Sequence, residues 1–260
     1  MDLHLGFTPK HARRLLIACI CSEVFLLFAC VTSTLIGEPS RIIQNWFSLN
    51  AESNIPTWFS SAQLLLISLF IGCSALYGDL SLGPSRKLLI VLAAGFLFLS
   101  IDETAMIHEG SSKLLSNYKW LPSVRHGKGF WMFPYMGIGV GIFFFVRRDL
   151  LAFWRRFRLE GILMTVGFIT TLAGGVFLEA FGYAFLTRQG SGVWFYRIEE
   201  AVEEILEQGG ETVTLYGAAL LAIRLLAAPR TLPPSRRSET PASPAAASVE
   251  ERRKVPVAAN

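Results

Sequence analysis

Five glutamates, Glu200, Glu203, Glu204, Glu207 and Glu211, recur at the spacing of a single helical face. The apolar run behind them, Thr212 to Leu226, is too short to cross a bilayer by itself, because a spanning helix needs about 20 residues. Counting back about 20 residues from Arg224 reaches Glu204. Glu207 and Glu211 are therefore expected at hydrocarbon depth, where a carboxylate is costly and marks a functional site.

The rest of the chain supports a membrane class. Its 260 residues are 52% hydrophobic, and the mean hydropathy is +0.44. The apolar residues fall in six blocks of near-spanning length: about Leu15–Gly37, Thr57–Gly78, Leu88–Ile107, Gly129–Val146, Gly161–Ala184 and the later part of Tyr196–Leu226. Short polar loops join them. The pattern predicts an all-α fold, a polytopic integral membrane bundle of about six transmembrane helices over residues 1–228. The segment 229–260 is rich in Pro, Ala, Ser and charge, and is expected to be a disordered cytoplasmic tail. The first block exceeds the apolar core of a cleavable signal peptide and carries Glu23, so it is expected to be a retained helix.

Basic residues set the orientation. Lys10, Arg13, Arg14, Arg86, Lys87, the block Arg147, Arg148, Arg155, Arg156 and Arg158, and the basic residues of the tail fall on one side, so both termini are expected in the cytoplasm. Lys113, Lys119, Arg125 and Lys128 oppose this from the other side without outweighing it. The net charge of +4 thus reports topology. The basic residues form no aromatic-interleaved patch, and no nucleic-acid partner is expected.

With this topology the third, fifth and sixth spans carry their acids to the same, non-cytoplasmic side: Asp102, Glu103 and Glu109 with His108, then Glu179, then Glu200 to Glu211. Asp102 and Glu109 lie seven residues apart on nearly one face and are expected to face the bundle, with His108 or Glu103 reaching a neighbouring helix. A solvated acidic rim is the competing reading for Glu199, Glu200 and Glu203. Glu23 falls near mid-bilayer, where Ser60, Ser61 or Gln63 can satisfy it, either as a step of an inward proton path or as a packing contact. Gly174-Gly175 and Gly209-Gly210 are sites where helices can approach or bend, and a distortion at the second pair would help the carboxylates converge. The cysteines Cys19, Cys21, Cys30 and Cys73 all sit inside spans, which argues against a disulfide framework.

A cluster rich in carboxylate and poor in histidine suits a divalent cation such as Mn, Fe, Ca or Mg better than zinc. The Glu-x-x-His pair of di-iron bundles is missing, since Glu103 and His108 are five apart. Glu199-Glu200 resembles the double-glutamate motif of membrane CAAX-type proteases, but no histidine follows it, which rules that family out. The run Ser100-Ile-Asp102-Glu103 followed by His108-Glu109, together with the late Glu-rich helix before an apolar run, resembles a set of uncharacterised bacterial multipass proteins. The resemblance covers two short segments. It implies a multi-pass protein of the bacterial inner membrane and carries no activity.

The expected function is binding of a divalent cation or relay of protons, of transport type, at Asp102, Glu109, Glu207 and Glu211, with His108, Glu103, Glu179, Glu200, Glu203 and Glu204 around them and Glu23 on the inward path. A membrane metalloenzyme, or an accessory subunit docking a partner through its acidic face, is the alternative. The expected partner is the lipid bilayer, with a membrane-protein partner or a second copy of the chain as further candidates.

Overall fold

Nearly all of the chain's apolar length winds into helix. A computed structural model describes residues 6–36, 41–49, 51, 53–115, 118, 121–122, 124, 129–186 and 192–226. Helices α1 (Pro9–Ile36), α2 (Arg41–Phe47) and α3 (Ile55–Tyr77) are followed by a 3-10 turn at Leu80–Leu82. Next come α4 (Arg86–Ala105), α5 (Ile107–Leu115), α6 (Met132–Arg156) and α7 (Arg158–Leu172). A π-helical turn at Ala173–Leu178 leads into α8 (Glu179–Phe185), and α9 (Gly192–Leu226) closes the order. The expected tail, and the loop residues Lys119, Arg125, His126 and Lys128, lie outside the described residues.

Local chemistry fixes the helix ends. Asn54 accepts the Thr57 amide at 3.1 Å with Pro56 in the first turn of α3, and the Ser85 hydroxyl accepts the Leu88 amide at the start of α4. At the other end of α4, Met106 adopts a left-handed conformation (φ 55°), and its amide bonds the Asp102 carbonyl at 2.7 Å. The chain then starts α5 on a new axis.

Helix α9 is central, packing against α1, α3 and α7. One end of the bundle is tied by the Asp79 amide to the Leu225 carbonyl (2.9 Å), by Arg156 to the Leu82 carbonyl (3.1 Å), and by Arg224 to Glu160 (3.2 Å). The acids collect toward the other end. Between the two lies an apolar core that includes Ile67, Ile71, Leu88, Leu89, Phe157, Leu215, Leu221 and Leu225.

Close approach uses small residues. Serines clasp α3 to α4: Ser61 donates to the Ser100 carbonyl and Ser100 to the Ser61 carbonyl, both at 2.8 Å, and Ser68 donates to the Ala93 carbonyl at 2.7 Å. Glycines bring α7 to α9, where a Cβ at Gly167 would stand 2.5 Å from the Gly210 carbonyl.

Four stretches, Pro9–Leu35, Ile55–Tyr77, Arg86–Ala105 and Arg158–Phe185, are long and apolar enough to cross a membrane. Val24, Phe25 and Phe28 on α1 stand exposed on the outside of the bundle, as do Phe143, Phe144 and Phe145 on α6. An apolar exterior of this extent fits a lipid surround. The expected fourth and sixth spans are helical, but the apolar stretches of α6 (Met132–Val146) and α9 (Thr212–Leu226) are each only 15 residues long. At about 1.5 Å per residue each covers roughly 22 Å, short of the hydrocarbon core.

Two local expectations change. The third span does not run through to Ile107, because the break at Met106 puts Asp102 and Glu109 on different helices. The distortion is also on the other partner: α9 runs unbroken through Gly209-Gly210, and the irregular turn contains Gly174-Gly175.

Candidate functional site

Helix α9 is amphipathic in the reverse of the usual sense. Ile198, Val202 and Ile205 point outward with 59%, 42% and 49% exposure, whereas Glu200 and Glu211 are buried at 9% and 3%. Glu203, Glu204 and Glu207 are partly buried. A wet acidic rim would show the opposite arrangement. The acids turn into the bundle because glycines of the π turn and of α8 leave room for them. A Cβ on Gly174 would stand 2.6 Å from the Glu203 carbonyl and 2.7 Å from Glu207 Cγ, a Cβ on Gly175 would collide with the Glu207 carboxylate, and one on Gly182 would stand 2.8 Å from Glu199 Oε2. The π turn inserts one residue, which sets two successive glycines beneath the one glutamate.

The outermost tier forms where α4 ends. Because the chain breaks at Met106, His108 folds back on Asp102: its amide donates to Oδ1 at 2.9 Å, and its Nδ1 meets Oδ2 at 3.2 Å. Burial pushes the imidazole of His108 down, but the hydrogen bond and charge of Asp102, helped by Glu179 and Glu103, outweigh it and raise its pKa to about 9. His108 is thus held as a cation beside a buried aspartate. Trp131 packs edge-on to His108 with centroids 5.2 Å apart, and Tyr135 packs on Trp131 at the same distance. The Tyr135 hydroxyl neighbours Asp102 and the Trp131 indole N–H neighbours Glu179, neither with full hydrogen-bond geometry. Tyr183 donates to Glu179 at 2.6 Å.

Glu109 stays within electrostatic reach of Glu179 but does not join the Asp102–His108 pair. It pairs with Lys113 one turn along α5, at 2.5 Å, toward the surface. The expected shared face of Asp102 and Glu109 required a continuous helix, and Met106 ends it.

Deeper in, the acids succeed one another within electrostatic reach. Glu203 lies near Glu179, Glu199, Glu200 and Glu204; Glu207 lies near Glu103, Glu203, Glu204 and Glu211; Glu211 lies near Glu103, Glu204 and Glu23. Gln208 donates to Glu204 at 3.1 Å, and Ser60 of α3 donates to Glu211 Oε1 at 2.9 Å. The innermost tier joins α1, α3 and α9. Gln63 donates to Thr212 at 2.5 Å and to Glu23 at 3.4 Å, and Thr212 donates to Glu23. Of the three partners named for Glu23, Gln63 is the one that meets it; Ser60 serves Glu211 and Ser61 serves Ser100.

Several contributors escape the sequence reading. Thr212, Tyr183 and Gln208 hold carboxylates, Ser60 holds Glu211 rather than Glu23, and Glu160 pairs with Arg224 at the far end. The available signal was the polar set Ser60, Ser61, Gln63, Ser68 and Ser74 within an otherwise apolar span. Among the described residues, no three or more His, Cys, Asp and Glu gather as a metal ion would require.

A family model described as Domain of unknown function (DUF8692) matches residues 18–225, from within α1 to the end of α9. The chain belongs to this family. No curated protein and no solved structure matches it. The matched range takes in every carboxylate of the three tiers and ends before the tail.

Proposed function

We propose that the chain is a six-span protein of the bacterial inner membrane, with both termini in the cytoplasm, that relays protons through a ladder of carboxylates. The ladder starts at Asp102–His108 and Glu179 near the outer surface, continues through Glu203, Glu204, Glu103 and Glu207, and reaches Glu211 and Glu23. In this reading α6 and α9 are the two spans with short apolar stretches, and α9 is enclosed by α1, α3 and α7. The service is transport, with the bilayer as the chain's partner.

Glu211 carries the reading. It is buried between α3 and α9, one oxygen accepts from Ser60, and the other has no hydrogen-bond partner. Thirteen residues separate it from Arg224, about 20 Å along the axis at about 1.5 Å per residue, which is well inside a hydrocarbon core of about 30 Å. A carboxylate at that depth with an open oxygen is suited to taking up and releasing a proton, and acids within reach on either side give the proton somewhere to go. A relay asks only for a succession of such groups.

Vesicles reconstituted with the full chain, loaded with a pH-sensitive dye and given an inward proton gradient, test this. Wild type is expected to collapse the gradient, Glu211→Gln to slow it at least about ten-fold, and Asp149→Asn, at the opposite end beside Lys87, to leave it unchanged. Equal rates for wild type and Glu211→Gln would remove the relay.

A further inference from the structure

Two buried oxygens between α3 and α9 lack a donor: Oε1 of Gln63 and Oε2 of Glu211, in side chains only 2% and 3% exposed. Buried acceptors are almost always satisfied, so such a pair needs an explanation. The donors around them are already committed. The Ser60 hydroxyl goes to Glu211 Oε1, the Thr212 hydroxyl goes to Glu23, and the Gln63 amide goes to Thr212 and Glu23. With Glu23 ionised, the Gln63 amide is oriented by this network, because its nitrogen faces a carboxylate oxygen that accepts. Cys19 lies beside Thr212 and Gln63, and a thiol is a weak donor.

The two acceptors belong to one locus. Ser60 and Gln63 are a turn apart on α3, Glu211 and Thr212 are adjacent on α9, and two hydrogen bonds join the pairs. When Glu211 gives up its proton, what is missing there is a positive centre that binds oxygen. Oxygen-only ligands select hard cations over zinc, copper or iron. One uncommitted carboxylate oxygen beside an amide oxygen and a hydroxyl matches a single charge, whereas calcium draws six to eight oxygens with several carboxylates among them.

We infer that Glu211, Gln63 and Ser60 form a binding site for a monovalent hard cation, sodium. The lone pairs of Ser60 Oγ, Gln63 Oε1 and Glu211 Oε2 are its protein ligands, and water completes the shell. The site names the ion at the inner end of the ladder. Its place in transport rests on the relay reading; its capacity to bind does not.

Equilibrium binding of radioactive sodium to the full chain in mild detergent, at one fixed alkaline pH, tests the inference. It is paired with thermal unfolding in sodium chloride against choline chloride at equal ionic strength. The expected result is saturable binding of one sodium per chain, a higher Tm in sodium, and at least about a ten-fold weaker affinity in both Gln63→Leu and Ser60→Ala. Failure of folded wild-type protein to bind sodium, or binding of calcium or potassium in its place, overturns the inference. If Gln63→Leu does not fold, the wild-type comparison of sodium with choline decides by itself. Sodium binding without proton flux in vesicles would leave the site standing and remove the relay; flux without sodium binding would do the reverse.

Discussion

Glu207 of α9 lays its carboxylate directly over Gly175 in the π turn after α7, in the space a side chain would otherwise fill. The acid face of α9 turns inward where its partner has no Cβ. At Gly175 the Glu207 carboxylate can swing aside, but Gly174→Ala would set a Cβ 2.6 Å from the fixed Glu203 carbonyl and should cost about 1–3 kcal/mol, the usual range for overpacking a fitted contact. Gly139→Ala on α6 meets nothing within 4 Å, and should be neutral or stabilise by up to about 1 kcal/mol through helix propensity. Thermal unfolding of both variants in detergent checks the contrast.

The Asp102–His108 pair predicts a pH dependence. The folded imidazole has its pKa raised to about 9 from 6.5, so folding favours its protonated form. The stabilisation is then complete below pH 6.5 and fades as pH rises through 9. His108→Gln should cost about 1.5–3 kcal/mol at pH 6, the range for a charge-assisted hydrogen bond. The variant and wild type should converge above pH 9. Unfolding curves for the two proteins at pH 6 and pH 10 measure it.

The opposite end of the bundle offers a comparison of ion pairs. Glu160 is 6% exposed, and Arg224 meets it at 3.2 Å while covering the Phe157 ring at 4.6 Å. Lys87 and Asp149 pair at 3.9 Å with both side chains accessible. Arg224→Met leaves the buried Glu160 oxygen without its donor and should cost about 1–3 kcal/mol, because the half-exposed Arg224 site lets water reach the carboxylate. Lys87→Met should cost no more than about 1 kcal/mol. Adding Glu160→Met to Arg224→Met should recover most of the loss, and a double-mutant cycle by chemical unfolding reads this directly.

Much of this was legible before the structure. Helical length and the location of the acids followed from hydrophobic blocks and from spacing, because both are local properties of the chain. Whether Glu199, Glu200 and Glu203 turn inward was not legible: the same spacing describes a wet stripe, and the room that Glu199 and Glu203 occupy is left by Gly182 and Gly174 on the preceding elements. The pairing of Asp102 with His108 was hidden by a single left-handed residue, Met106, a conformation for which the sequence gives no glycine or asparagine cue. Thr212 escaped because a hydroxyl in an apolar run looks the same whether it holds a neighbouring carboxylate or bonds back to its own helix, as Thr214 does to Gly210, and Ser60 was read as a partner of Glu23 although it holds Glu211.

The account depends most on the acid half of α9 lying within the membrane, acids inward and Ile198, Val202 and Ile205 toward lipid. In a background lacking Cys19, Cys21, Cys30 and Cys73, a fluorophore attached at Val202→Cys or Ile205→Cys in reconstituted vesicles reports its surroundings. The account predicts quenching by brominated lipid tails and none by aqueous iodide. Quenching by iodide with no effect of brominated lipid would put this half of the helix in water, and the ladder with it.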